Sequence, residues 1–117
     1  MLKTKTKRTA KRFINHLYGM LPKGVRHIPV RIIWNYPALR GRDDEYGFGV
    51  FLFDSEKPPT IFVAGAKQGK RELLNTIAHE FAHYMQWLEG LDMYSPKRET
   101  EAEETAKVLV KGWCKNG

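Results

Sequence analysis

His79 and His83 lie four residues apart, flanking Glu80 in the run His79-Glu80-Phe81-Ala82-His83. On a helix, residues four apart share a face, so the two imidazoles can converge on one ion and supply half of a tetrahedral zinc site. Glu80 is rotated away from that face but stays close enough to hydrogen-bond a water beside the ion, which is where a general base must stand. Zinc adds the rest by drawing the pKa of water down toward ~7 and polarising a carbonyl. The bland reading of the same residues is two histidines on a helix face, bonded to backbone or carboxylates.

A catalytic zinc site needs a third protein ligand and an open fourth corner. His16 and His27 are single histidines elsewhere in the chain, a type more often packed or solvated than metal-bound, whereas Glu99, Glu101, Glu103 and Glu104 form a denser supply. With Ala102 and Ala106 as a buried stripe, Glu99 and Glu103 share one flank, Glu101 takes the other and Glu104 points outward. Axial position weights the pair differently. A turn centred near Met93 brings Glu103 level with His83 and leaves Glu99 about one turn, ~5–6 Å, short.

The elements that must position these residues follow from periodicity. Phe13, Ile14, Leu17, Tyr18 and Leu21 recur at helical spacing before Pro22 and Gly24, so the first helix is expected over about 10–20. Residues 28–35 read as a strand, with Pro29 tolerable only at its start or on an edge. A polar loop, Arg40 to Glu45, leads to a second apolar run at 46–53, and a third strand is expected at 60–64 after Pro58-Pro59. The glycines at 47 and 49 suggest a sheet edge or a place where another backbone comes close. Leu73, Leu74, Ile77, Ala78, Phe81, Ala82, Met85 and Leu88 predict a helix from Lys70 to Glu89, with Gly90 suited to the position after its end. Ser95-Pro96 opens a last helix over 96–113, with Ala102, Ala106, Leu109, Val110 and Trp113 inward. The expected class is α+β, helices packed on a small three-stranded sheet.

The segments Thr76-Ile77-Ala78-His79-Glu80-Phe81-Ala82-His83-Tyr84 and Glu99-Thr100-Glu101-Ala102-Glu103-Glu104-Thr105-Ala106 resemble the gluzincin metallopeptidases, in particular the small ImmA/IrrE-like branch of bacteria and their phages. The resemblance implies a minimal zincin-like fold, zinc as the metal, His79, His83 and Glu99 as ligands, and Glu80 as general base. It also implies that Glu103 hydrogen-bonds a histidine from behind, with Glu standing where that group carries Asp or Asn, and Glu103 is the alternative third ligand. A peptide substrate is implied to lie extended along an edge strand, a part open to residues 46–53 or 60–64. Tyr84 and Tyr94 are candidate donors to the developing oxyanion, Tyr84 being equally suited to the core.

Composition bounds the remaining readings. The 117 residues, 42% hydrophobic and 28% charged, fit one globular domain rather than a disordered chain. No apolar run nears the ~18 residues of a membrane span, and the start lacks a secretory signal, so a cytoplasmic protein without membrane contact is expected, as a monomer. Cys114 is the single cysteine, which excludes an internal disulfide and any zinc site of several thiolates. Gly65 to Lys70 imitates a phosphate-binding loop but is one residue short, and Arg71 replaces the hydroxyl that would hold magnesium. The net charge of +7 is concentrated at the start, because Lys3, Lys5, Lys7, Arg8, Lys11 and Arg12 leave the remainder at +1. Residues 1–12 are therefore expected to be a basic flexible arm ahead of a single domain at 13–117. The expected function is a zinc metalloendopeptidase acting on protein or peptide. The alternative is a zinc-containing binding module whose arm docks DNA or an acidic protein.

Overall fold

Buried strand backbones carry N–H and C=O groups that need hydrogen-bond partners, and the apolar runs between residues 28 and 64 meet most of that need by pairing. In a computed structural model describing residues 2–25, 27–40, 46–54 and 57–116, the chain runs α1 (Leu2–Tyr18), β1 (Val30–Ile33), β2 (Leu39–Arg40), β3 (Tyr46–Gly47), β4 (Gly49–Leu52), β5 (Thr60–Ala64), α2 (Lys70–Leu88) and α3 (Lys97–Asn116). Strands β1, β5 and β4 form a mixed sheet in that order, while β2 and β3 make a separate antiparallel ribbon. Strand β5 pairs parallel with β1 (Val30 opposite Ile61) and antiparallel with β4 (Phe51 opposite Ile61). It is therefore central, and β4 is an edge.

One face of the sheet is sealed by the helices. Phe13 and Leu17 of α1, Ile61 and Val63 of β5, Leu73, Ile77 and Phe81 of α2, and Ala102 and Ala106 of α3 are essentially inaccessible to solvent. The small side chains of Ala102 and Ala106 let α3 lie close along α2. Gly90, at φ 77°, turns the chain after α2, where a side chain would be strained. The class is α+β, as the element order predicts.

Four boundaries differ from expectation. Helix α1 begins at Leu2 instead of near residue 10, so the basic stretch from Leu2 onward lies on the helix. Long, unbranched Lys and Arg side chains favour helix, and Ala10 is fully buried beside Phe13, which ties the stretch to the core. Lys5, Arg8, Lys11 and Arg12 face solvent on the side opposite that anchor, while Lys7 Nζ sits 5.2 Å from the centre of the Trp34 ring. The run 46–53 divides at Phe48 into β3 and β4, which join different sheets, and the first strand is confined to Val30–Ile33, after Pro29. Arg40, expected in a loop, belongs to β2, and positions 41–45 of that loop lie outside the described residues.

A candidate metal centre between the long helices

Helix α2 starts where the Gly69 N–H donates to the Glu72 carboxylate at 3.4 Å, a local cap that fixes the register of everything after it. Two turns on, His79 and His83 emerge on the side facing α3. Glu99, in the first turn of α3, completes the group: His83 Nε2 lies 2.9 Å from Glu99 Oε1, His79 Nε2 lies 3.2 Å from Glu99 Oε2, and the two Nε2 atoms are 3.2 Å apart. The edges of a tetrahedron with metal–ligand bonds of 2.0–2.1 Å measure about 3.3 Å. The group is thus dimensioned for one ion, and it is the metal-ligand type cluster found among the described residues.

Proton positions point the same way. Gln86 Nε2 donates to the Arg98 carbonyl at 3.0 Å, so its Oε1 is the atom 2.9 Å from His83 Nδ1 and must accept an N–H from it. A neutral His83 then turns a lone pair at Nε2 toward Glu99 and His79. A lone pair and a carboxylate oxygen 2.9 Å apart repel unless a proton or a cation lies between them, an arrangement that suits a metal ion. The imidazole of His79 is held below the ordinary histidine range, first by burial and then by the charge of His83, with Glu99 and Glu103 opposing.

Glu80 lies beside this group with 8% of its surface exposed. Burial, followed by the nearby Glu99 charge, pushes its carboxyl up to about 8, and a hydrogen bond from the Phe51 backbone N–H works against the rise. Its close contact with the sheet depends on Gly49. A Cβ at that position would come 2.9 Å from Glu80 Cγ and 2.7 Å from Thr76 Cγ2. Of the two expectations for the glycines, the sheet edge holds for Gly49 on β4, and what comes close to it is the side chains of Thr76 and Glu80, not another backbone.

Axial counting along the hairpin favoured Glu103 beside His83, but Glu99 is the residue that arrives. The connection is not an evenly shared turn: Leu91 N–H bonds back to Gln86 O, Ser95 N–H to Asp92 O and Arg98 N–H to Ser95 O. These turns bring the start of α3 back alongside Gln86, and the Gln86 bond to Arg98 O puts Glu99, the next residue, within reach. Glu103 is exposed and acts on His79 through its charge. Glu101 pairs with Arg98 at 2.9 Å, and Glu104 faces solvent, as the stripe of alanines predicts.

His16 packs against Trp113, with ring centres 5.0 Å apart, and His27 stacks on Tyr18 at 4.5 Å. Both lie apart from the group. Tyr84 is 2% exposed and packs on Phe51, Phe81 and Trp87, so it belongs to the core, while Tyr94 is exposed on the connection near Phe53. Cys114 is exposed near the end of α3. Of the two segments that could carry an extended substrate, 60–64 is excluded because β5 is paired on both sides. Ala64 N–H bonds Phe48 O at 2.7 Å, and the two-residue alternation of an antiparallel pair then turns the N–H and C=O of Gly49 and Phe51 toward the outer edge. Among the described residues, no helix is long and apolar enough to cross a membrane.

Gln86 and the backbone of Phe51 were not singled out from sequence. The first left a trace, a polar residue on an apolar helix face three positions after a histidine; the second left none. Set against protein-family models, curated proteins and solved structures, the chain matches none of them.

Proposed function

We propose that this chain is a zinc-dependent metallopeptidase of the gluzincin type. The observation that carries the reading is the convergence of His79 Nε2, His83 Nε2 and the Glu99 carboxylate at 2.9–3.2 Å, with the buried carboxyl of Glu80 beside them. The donor set, two neutral imidazoles and one carboxylate, is that of catalytic zinc sites. When bound, zinc supplies the positive charge that polarises a carbonyl and acidifies water. Glu80 takes the proton of the attacking water on its carboxylate and delivers it to the leaving amine nitrogen. The Phe51 N–H orients that carboxylate, and Gly49 leaves room for it. The groups left on the outer edge of β4, the N–H and C=O of Gly49 and the C=O of Phe51, offer an extended peptide backbone hydrogen bonds in the manner of an added strand.

The test is metal analysis of protein purified without added zinc, followed by a cleavage screen on an unfolded protein with and without chelator. The Glu80→Gln variant is expected to keep about one zinc per chain while cleavage falls at least a hundredfold. Undiminished cleavage in that variant, or a wild-type chain that takes up zinc and cuts nothing, sinks the reading.

We also propose an accessory contact with nucleic acid through α1. Lys5, Arg8, Lys11 and Arg12 share the exposed face of a helix whose other side is anchored by Ala10, Phe13 and Leu17. Four cations held in one row suit a phosphate backbone.

A further inference from the structure

Next to the candidate metal centre, the first turns of α2, the second half of α3 and Phe48 enclose a groove of about 580 Å³, within the ~300–1,000 Å³ range of ligand clefts. None of His79, Glu80, His83 or Glu99 lines it, and its link to that group runs through Thr76 and Gly49. Thr76 lines the groove, and its side chain lies against the same Gly49 that Glu80 touches. The charge of the groove is one-sided: Arg71, Lys107 and Lys111 line it, and among the described residues none of the three is held in an ion pair. The acid on its wall, Glu72, already accepts the Gly69 N–H at the start of α2. Phe48, 46% exposed, gives the groove an apolar side.

Resting on the metallopeptidase reading, we propose that this groove selects the substrate by accepting an acidic side chain of the peptide two residues from the bond that is cut. Thr76 and Glu80 are one helical turn apart, ~5–6 Å along the axis, and an extended chain advances ~3.3 Å per residue. A peptide lying on the edge of β4 with its reacting carbonyl at Glu80 therefore carries the side chain two positions away into the groove. Three cations with no ion pair among the described residues favour a carboxylate there and repel Lys or Arg, while Phe48 packs on its methylene groups. Arg71, Lys107 and Lys111 are in this sense specificity residues, remote from the reacting atoms.

Zinc-loaded Glu80→Gln protein provides the test, because binding can be read without turnover. The probes are alanine octapeptides with one central leucine and a neutral dye, carrying Asp, Asn or Lys at each other position in turn. Fluorescence anisotropy should show the Asp peptide at one position binding about three- to tenfold more tightly than its Asn counterpart, with the Lys peptide weaker than both. The Lys107→Glu/Lys111→Glu double variant should reverse that order, and Lys107→Gln/Lys111→Gln should flatten it. Both exchanges are at exposed positions, and the circular dichroism of each variant shows whether its helices are intact. Equal affinity for Asp and Lys peptides, or a preference that survives charge reversal, overturns the groove assignment and leaves the peptidase reading standing. Absence of cleavage by the wild-type chain overturns the peptidase reading, and the anisotropy series still decides what the groove binds.

Discussion

At the scale of single residues, Gln86 decides which nitrogen of His83 faces Glu99. Its amide is fixed by the bond to Arg98 O and in turn holds the proton on Nδ1. Partners of this kind behind a metal-binding histidine are typically worth 10–100-fold in affinity. Gln86→Ala should therefore weaken zinc binding by about that factor in competition with a chromophoric chelator, and Gln86→Glu, which still accepts the Nδ1–H, should recover part of it. Equal affinity in the alanine variant would show that the ring is oriented by packing alone. Glu80 makes a second prediction, for the metal-free protein. Its carboxyl is raised from the ordinary 4.5 to about 8, so the folded state keeps a proton that the unfolded chain loses. That contribution to stability is present below about pH 4.5 and is lost as pH rises toward 8. In the presence of chelator, the melting temperature of wild type should fall further between pH 5 and pH 8 than that of Glu80→Gln, whose side chain does not titrate. Parallel melting curves for the two proteins would remove the effect. His79, Glu80 and His83 were legible in the sequence because helical spacing is a local property. Gln86 was less so, since its role depends on a carbonyl 12 residues away, on another helix.

At the scale of elements, the helices were legible and the sheet only partly. The eight apolar positions between Leu73 and Leu88 fix α2 by their period, which needs nothing outside the segment. Strand order is different. Whether β4 or β5 lies at the edge is decided by which strands pair, a long-range outcome that neither 46–53 nor 60–64 encodes by itself. The same limit applies to the level of α3 beside α2, where the backbone turns between Leu91 and Arg98 overrode symmetric counting. Contact between β4 and α2 can be tested at Gly49. In Gly49→Ala the new methyl meets Thr76 and Glu80 at 2.7–2.9 Å, so the strand must retreat or the glutamate must turn. Overpacking of this kind costs ~1–3 kcal/mol, and at roughly 3–6 °C per kcal/mol, between the ranges for smaller and larger domains, the melting temperature should fall by several degrees. Cleavage should fall more than tenfold with zinc content unchanged, because Glu80 moves and the ligands do not. A variant that melts lower but cuts at the wild-type rate would separate the strand contact from the chemistry.

At the scale of the whole molecule, the candidate metal centre and the basic helix lie on structures that also hold the fold together, and this governs how each can be tested. His79 and His83 come from α2 and Glu99 from α3, so an ion shared among them links the helices that enclose much of the core. Zinc at a hundred times its dissociation constant should stabilise the fold by about 2.7 kcal/mol, seen as a melting temperature that drops on chelation and returns when zinc is restored. The basic stretch was legible as a cluster of charge but not as a helix, because its composition carries no apolar period until Ala10 and Phe13 supply anchors. Removing residues 1–12 to test nucleic-acid contact would take out Ala10, which is fully buried, and confuse loss of binding with loss of folding. Exchanging Lys5, Arg8, Lys11 and Arg12 for Gln keeps the helix and its buried side while discharging the exposed face. If the four cations meet phosphates, the wild-type chain should elute from duplex DNA at higher salt than the quadruple variant, and its log affinity should fall with log salt at a slope of up to about −3.6, that is −0.9 for each of four contacts. Cleavage of an uncharged peptide should be the same in both proteins, since α1 lies outside the metal centre. Identical elution would leave α1 as a solvated face whose charge serves solubility, and the catalytic reading would be untouched by that result.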